Sequence, residues 1–511
     1  MRNAVEGFLF HAASVKLGAG SGLDFQPGAL RTMVSELSGV RPGPAGVGNH
    51  AGTGRSPKGW LRCSPGTSRN DSVDKKQNRE LHRAGPFVAS RERREYSGAR
   101  REGAPPTALE QWMLAQLLRL SGNPPVQFVL WNGAEWPASV SAAVARLYIR
   151  NRRTLWQLLV NPGFRFGDAY SRGDLEIEGD LIECLVALYR GERAAQQKKR
   201  LLSGRPPRAR RNTRAGSRSN IHHHYDLGND FFGLWLDQEM VYTCAYFPTG
   251  TLSLEQAQQA KMEYVSRKLR LQPGETVIEA GCGWGSLALH MARHHGVRVR
   301  AYNISGAQIA YARERATAEG LDGQVEFIED DYRNIDGQCD AFVSVGMLEH
   351  VGTENYPALG DVIERCLGAH GRGLLHSIGR DQPWPMNAWI ERRIFPGAYP
   401  PTLRELLAVL EPAGFSVLDV ENLRLHYAKT LEHWLARFEA RADEIQGRYD
   451  ASFVRAWRLY LAGSLAAFLT GWLQLFQVVF TRSGENAIPW NRAYLYGNGE
   501  ARGLKNLNAT G

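Results

Sequence analysis

The chain predicts an open, largely parallel α/β sheet with helices on both faces, preceded by a small α/β unit over residues 107–189. Three observations carry this reading. Between residues 276 and 377, short apolar runs of strand length alternate with helix-length amphipathic stretches. The first run ends in a glycine turn, Gly281-Cys282-Gly283-Trp284-Gly285, that opens onto a helix. A separate group of short elements lies upstream, set apart by a basic, proline-containing stretch.

In the small unit, Leu114, Leu117 and Leu118 have helical spacing, so a helix is expected over 109–120. Residues 127–131 read as a strand, and 139–146, 154–160 and 181–189 as further short elements. Asn161-Pro162-Gly163 and Gly167-Asp168-Ala169-Tyr170 read as punctuation between them. In the large unit the expected order is strand 276–279, helix 286–294, strand 298–303, helix 307–319, strand 325–329, strand 341–345, helix 356–367 and strand 373–377. Residues 459–481 form 23 consecutive uncharged positions, long enough to cross a bilayer. Gly463, Ser464, Thr470, Gly471, Gln474 and Gln477 argue against a span. The preferred reading is a buried helix broken near Gly471 and then a strand over 473–480; a membrane span and an interfacial helix are the alternatives.

At 511 residues the chain is too long for one core, and two or three units are expected. Its 43% hydrophobic and 22% charged residues are an ordinary globular composition. The net charge of +10 is unevenly placed. Residues 1–110 hold 17 Lys/Arg and 10 Asp/Glu, and residues 190–218 hold 11 Lys/Arg and one acid, Glu192. The remainder has 34 bases and 41 acids, a mildly acidic body. That balance, with no aromatics interleaved among the bases, speaks against nucleic acid. Residues 1–106 are Gly-, Ser-, Arg- and Pro-rich and read either as a disordered tail or as an over-extended start. Residues 190–219 read as a basic linker, stopped from continuing as a helix by Pro206 and Pro207. It is either a solvated tether or a transient contact with anionic phospholipid, worth about 1 kcal/mol per base near the surface. A catalytic domain over 220–482 and a tail over 483–511 complete the division. The six cysteines, Cys63, Cys184, Cys244, Cys282, Cys339 and Cys366, form no CxxC pair, and a reducing cytoplasm is the simplest setting.

The glycine turn lets the backbone bend sharply and approach a ligand. Its spacing is GxGxG, not the GxGxxG of a dinucleotide turn. Strand two ends in Asn303-Ile304-Ser305 with Gln308 one turn later, and strand three in Asp330-Asp331-Tyr332. His222-His223-His224 does not suggest a metal site, because consecutive residues rarely converge on one ion, and no metal is expected.

The turn preceded by Glu279 resembles motif I of class I S-adenosylmethionine methyltransferases. Further groups resemble the cyclopropane-fatty-acyl-phospholipid synthases and their mycolic-acid relatives. They are His224-Tyr225-Asp226-Leu227, Asp230-Phe231-Phe232, Tyr242-Thr243-Cys244-Ala245-Tyr246-Phe247 and Met347-Leu348-Glu349-His350-Val351-Gly352. Leu374-Leu375-His376-Ser377-Ile378, Ile394-Phe395-Pro396-Gly397, His426-Tyr427-Ala428-Lys429-Thr430-Leu431 and Leu475-Phe476-Gln477-Val478-Val479-Phe480 complete the set. The resemblance spans roughly 220–482, and 107–189 is similar to the small N-terminal domain of bacterial phospholipid-acting members.

This resemblance implies a Rossmann-like class I methyltransferase domain with a mostly parallel seven-stranded sheet. It implies methylene transfer from S-adenosylmethionine to the cis double bond of a phospholipid acyl chain, or a sister reaction giving a methyl-branched or otherwise methylated lipid. S-adenosylmethionine contacts would be Tyr242, Thr243, Glu279, Gly281, Gly283, Gly285, Asn303, Ser305, Gln308, Asp331 and Tyr332. A bicarbonate ion would act as base, held by Cys244, Glu349, His376, the Ile378 backbone and Tyr427, with Tyr225 facing the carbocation. A cytoplasmic enzyme peripheral to the inner face of the membrane is implied, and a homodimer is compatible with it. Two positions depart from the family pattern: Ser464 stands where a cysteine is common, and Leu469 and Trp472 where basic residues are.

Overall fold

The computed structural model describes residues 105–138, 143–200 and 227–496. The expectations for 1–104, for most of the basic linker, for His222–His224 and Tyr225, and for the end of the C-terminal tail lie outside the described residues.

The first group of elements opens with the helix Ala108–Leu120, which Thr107 and Glu110 begin as a reciprocal capping box. Strands β1 (Val126–Leu130), β2 (Glu135–Trp136), β3 (Ala145–Ile149) and β4 (Leu175–Gly179) form a four-stranded sheet in the order β2-β1-β3-β4. The expected break at Asn161–Gly163 is instead a helix start. Asn161 caps the helix Pro162–Arg172, and proline suits its first turn because the missing N–H would have no partner there. Gly167-Asp168-Ala169-Tyr170, expected to punctuate, lies inside that helix. Gly167 is there because a Cβ would stand 2.4 Å from the Trp389 ring.

The second sheet has seven strands: β5 (Thr276–Ala280), β6 (Arg298–Asn303), β7 (Val325–Glu329), β8 (Cys339–Val345), β9 (Leu367–Gly379), β10 (Phe415–Asn422) and β11 (Gln474–Arg482). Their order is β10-β11-β9-β8-β5-β6-β7. Only β11 runs against its neighbours. The β8 run Ala341–Val345 is apolar but for Ser344 and buried throughout, as a central strand covered on both faces must be. Strand order reverses around β5, between β8 and β6, and the crevice beyond the strand ends at such a reversal is where ligands bind in open α/β sheets.

The uncharged interval resolves into the end of the helix Ala451–Leu469 and strand β11. Among the described residues no helix is long and apolar enough to cross a membrane. The helix Ala451–Leu469 is wrapped by both sheets' helices. Arg455 Nε donates to Tyr170 O at 2.6 Å, and Trp472 Nε1 donates to Tyr189 O at 2.9 Å. Arg393 also pairs with the buried carboxylate of Asp168. The small sheet unit is thus tied to the large one through its helices.

Candidate active site

A cavity of about 1500 Å3 lies beyond the carboxyl ends of β5, β8 and β9. One end is the glycine turn. Gly281, Gly283 and Gly285 all have positive φ, +88°, +56° and +86°. At Gly281 a Cβ would stand 2.8 Å from Met347 Cβ, so a side chain there would collide with the opposite wall. Gly283 faces open space and lines the cavity, whereas Gly285 does not. A Cβ on Gly285 would lie 2.6 Å from Phe327 Cζ, which makes that glycine a helix-packing residue.

Glu279, the penultimate residue of β5 before this turn, is 2% exposed, and its Oε2 has no hydrogen-bond partner among the described residues. Burial pushes its carboxyl above the usual range, partly opposed by Lys261. Lys261 comes from the helix Leu254–Lys268 and donates from Nζ to Thr243 Oγ1 at 3.1 Å. Burial lowers its ammonium pKa, and Asp237 and Glu279 restore part of the loss. A buried carboxyl with an idle oxygen beside a ligand space suits a cationic partner. Asn303 Nδ2 donates to Gln308 Oε1 at 2.8 Å and to Gly283 O at 3.2 Å, joining the second strand end to the turn.

The other end is built by Glu349, Ile378, Tyr427 and an aromatic wall. Ile378 N donates to Glu349 Oε1 at 2.6 Å, and Glu349 Oε2 is buried with no hydrogen-bond partner among the described residues. Burial pushes this carboxyl up to about 7. Tyr427 packs against Phe468 at a centroid distance of 4.5 Å. The hydroxyls of Tyr242 and Tyr460 are 2.7 Å apart. Ser464 lines the cavity beside Gly463 and Ala467, so no thiol stands there.

Of the expected residues, Tyr242, Thr243, Glu279, Gly281, Gly283, Asn303, Gln308, Glu349, Ile378 and Tyr427 are brought together around one cavity. Several are not. Cys244 is fully buried behind the wall, its thiol donating to Ala245 O at 3.1 Å, and burial pushes the thiol pKa up. His376 is also behind the wall. Lys268 Nζ donates to Gln477 Oε1 at 2.7 Å, which turns the Gln477 amide nitrogen toward His376 Nδ1 at 3.0 Å. The imidazole is therefore assigned as the neutral Nε2–H tautomer, consistent with burial pulling its pKa down to about 3. Ser305 instead caps the helix Gly306–Ala318. Asp331 caps the turn Tyr332–Asn334 and pairs with Arg333, and Tyr332 packs under that arginine. Tyr225 lies outside the described residues.

Other lining residues had no sequence signal of their own. Lys261 sits on an otherwise ordinary amphipathic helix, Trp284 is one of the variable positions of the glycine turn, and Tyr460 belongs to the uncharged interval. Gly163 and Tyr189 show that the small unit also contributes to the cavity, as does Glu192 on the helix Leu181–Arg200, which continues into the expected linker.

A family profile described as mycolic acid cyclopropane synthetase matches residues 212–478, and one described only as a domain of unknown function matches 113–200. A probable fatty acid methyltransferase of Pseudomonas putida is 36% identical over 407 residues, covering 75% of this chain and 100% of that protein. The cyclopropane-fatty-acyl-phospholipid synthase of Escherichia coli K12 is 42% identical over 266 residues, covering 52% of this chain and 68% of that protein. Among solved structures, mycolic acid cyclopropane synthase CmaA1 complexed with SAH and CTAB is 30% identical, with a TM-score of 0.50, covering 53% of this chain and 99% of that one.

Proposed function

This chain belongs to the mycolic acid cyclopropane synthetase family, and on that premise we propose that it transfers a methylene group from S-adenosylmethionine to the cis double bond of an unsaturated phospholipid acyl chain, leaving a cyclopropane ring. It is an S-adenosylmethionine-dependent methyltransferase of the class I α/β fold. The observation that carries the finer reading is one continuous cavity with two idle carboxyls. Its volume exceeds the roughly 300–1000 Å3 of a typical small-ligand site, which leaves room for a nucleoside donor and a lipid chain together.

Glu279, Gly281, Gly283, Asn303 and Gln308 would hold S-adenosylmethionine, with the idle Glu279 oxygen meeting its ammonium. When bound, the donor supplies an electrophilic methyl. An alkene is a weak nucleophile, so the residues around it must align it and exclude water. Tyr427, Tyr460, Phe395 and Leu431 give the cavity an apolar and aromatic wall suited to that task. Ring faces also favour a developing carbocation.

Bicarbonate fits part of its expected site. A buried carboxyl held near neutrality can offer an O–H from Oε2, and a proton donor is what an adjoining anion needs. Glu349 and Tyr427 would hold it, while Cys244 and His376 stand behind the wall and the Ile378 N–H is already engaged by Glu349. When bound, such an anion supplies a base beside the cation. Glu349, protonated at Oε2, would donate to such an anion and so orient it beside the acyl chain.

A second reading, methyl branching without ring closure, is favoured by one observation. The relative matching 75% of this chain is named a probable fatty acid methyltransferase. Both readings share the cation and differ in how it is quenched. The basic stretch 190–218 supports peripheral contact with anionic phospholipid on the cytoplasmic face of the membrane.

Incubation with S-adenosylmethionine and cis-monounsaturated phospholipid, followed by mass spectrometry of the fatty acids, tests this. A gain of one CH2 with loss of the alkene is expected. A product that keeps an unsaturation moves the assignment to the second reading, and no product across several lipids rejects both.

A further inference from the structure

A second site lies on the far side of the glycine-turn helix. The helix Ser286–His295 carries His290 at its middle and His294 and His295 at its end, and it packs on the helix Leu254–Lys268, which carries Glu263. Glu263 Oε2 is 3.1 Å from His295 Nε2 and 3.5 Å from His290 Nε2. One ligand atom from each of the three residues falls within 4.8 Å of the others. His290 is 5% exposed, yet both of its ring nitrogens lack a hydrogen-bond partner among the described residues. A buried imidazole whose Nε2 has only a long contact with a carboxylate, and whose Nδ1 has none, is costly unless something completes it.

We propose that Glu263, His290 and His295 form a divalent-cation site of the zinc type, which clamps the glycine-turn helix to the helix bearing Lys261. Zinc bonds of about 2.0–2.2 Å to imidazole nitrogen and carboxylate oxygen put neighbouring ligands of a tetrahedron about 3.3–3.5 Å apart. The separations of 3.1 and 3.5 Å lie close to that edge. Two nitrogens and one oxygen are a donor set that zinc accepts, and solvent can complete the shell. Arg267 Nε binds the other carboxylate oxygen of Glu263 at 2.7 Å, which leaves Oε2 facing the rings, an outer-shell orientation common around metals. His295 is also the last residue of its helix, where the carbonyl end favours a cation. The expectation of no metal rested on His222–His224; this cluster is a different one, assembled from two helices. Its role is structural and does not depend on which lipid reaction the cavity performs.

The test uses the full chain, freed of any affinity tag, stripped with a chelator and desalted, with Zn2+ alone as the probe. Calorimetry is expected to show one Zn2+ per chain, with a rise in melting temperature on addition. Glu263→Gln and His295→Ala, both at partly exposed positions, are expected to weaken binding at least tenfold and to lose the thermal rise, with the far-UV spectrum unchanged. Replacing His222, His223 and His224 together by alanine is expected to leave binding intact. Unchanged affinity in Glu263→Gln and His295→Ala, or loss of the Zn2+ in the triple variant, would overturn the assignment. Co2+ in place of Zn2+ gives a second readout that needs no variant. Strong visible bands of a four-coordinate ion support the site, and only the faint bands of hydrated Co2+ reject it.

Discussion

The backbone N–H of Ile378 donates to Glu349 Oε1 at 2.6 Å, and this single bond fixes which carboxyl oxygen of Glu349 is left idle at the cavity. Ile378 lies near the end of β9 and Glu349 in the turn Leu348–His350 after β8, so two adjacent parallel strands set the geometry. Glu349→Gln keeps the shape and an acceptor for Ile378 but removes the exchangeable proton. We expect turnover to fall by about 10²-fold or more, while S-adenosylmethionine affinity measured by calorimetry stays within about threefold. Equal loss of both would mean a structural role.

The same carboxyl should leave a mark on stability. Burial raises it from 4.5 to about 7. A raised acid favours the fold fully below its unfolded value, and that preference is lost as pH rises through about 7. The gap corresponds to about 3 kcal/mol as an upper bound. Glu349→Gln should therefore gain stability relative to the parent between pH 4.5 and pH 8, by up to about that amount. Urea unfolding at the two pH values measures it; an identical difference at both contradicts the burial argument.

Glu279 is expected to ionise fully when an ammonium reaches its idle oxygen. Binding of S-adenosylmethionine near neutral pH should then release protons, seen as a binding enthalpy that varies with the ionisation enthalpy of the buffer. Glu279→Gln should lose that variation and weaken binding by about tenfold, or about 1.4 kcal/mol. A buffer-independent enthalpy in the parent protein would show that the carboxyl is already charged.

Gly285 separates packing from ligand contact within the turn. With φ at +86° and a prospective Cβ 2.6 Å from Phe327 and 2.9 Å from Ala312 Cβ, Gly285→Ala should destabilise the fold by about 1–3 kcal/mol. Denaturant titration checks this, and a stability equal to that of the parent would rule out the close approach.

Six of the seven strands of the large sheet were legible as runs of strand length set between helices and turns, and β6 and β7 match their expected bounds. Strand β10 was not, because Ser416, Asp419, Glu421 and Asn422 break the apolar run of an edge strand. Pro162 misled in the small unit, since proline marks a helix start as readily as a break. At the site, a motif could name Glu279 and Glu349, but no motif says whether a neighbour faces the cavity. Cys244 and His376 turn inward to Ala245 and Gln477, contacts set by tertiary packing. Lys261 went unseen because its meaning comes from Glu279 and Thr243, which are distant in sequence.

The fate of the transferred carbon tests the central claim most directly. With S-adenosylmethionine carrying a CD3 methyl and a cis-monounsaturated phospholipid as acceptor, mass spectrometry of the fatty acid product reads how much deuterium remains. Ring closure after loss of one proton from the new methyl predicts a saturated cyclopropane product that has gained CD2. A product that retains all three deuterium atoms as a methyl group would contradict it.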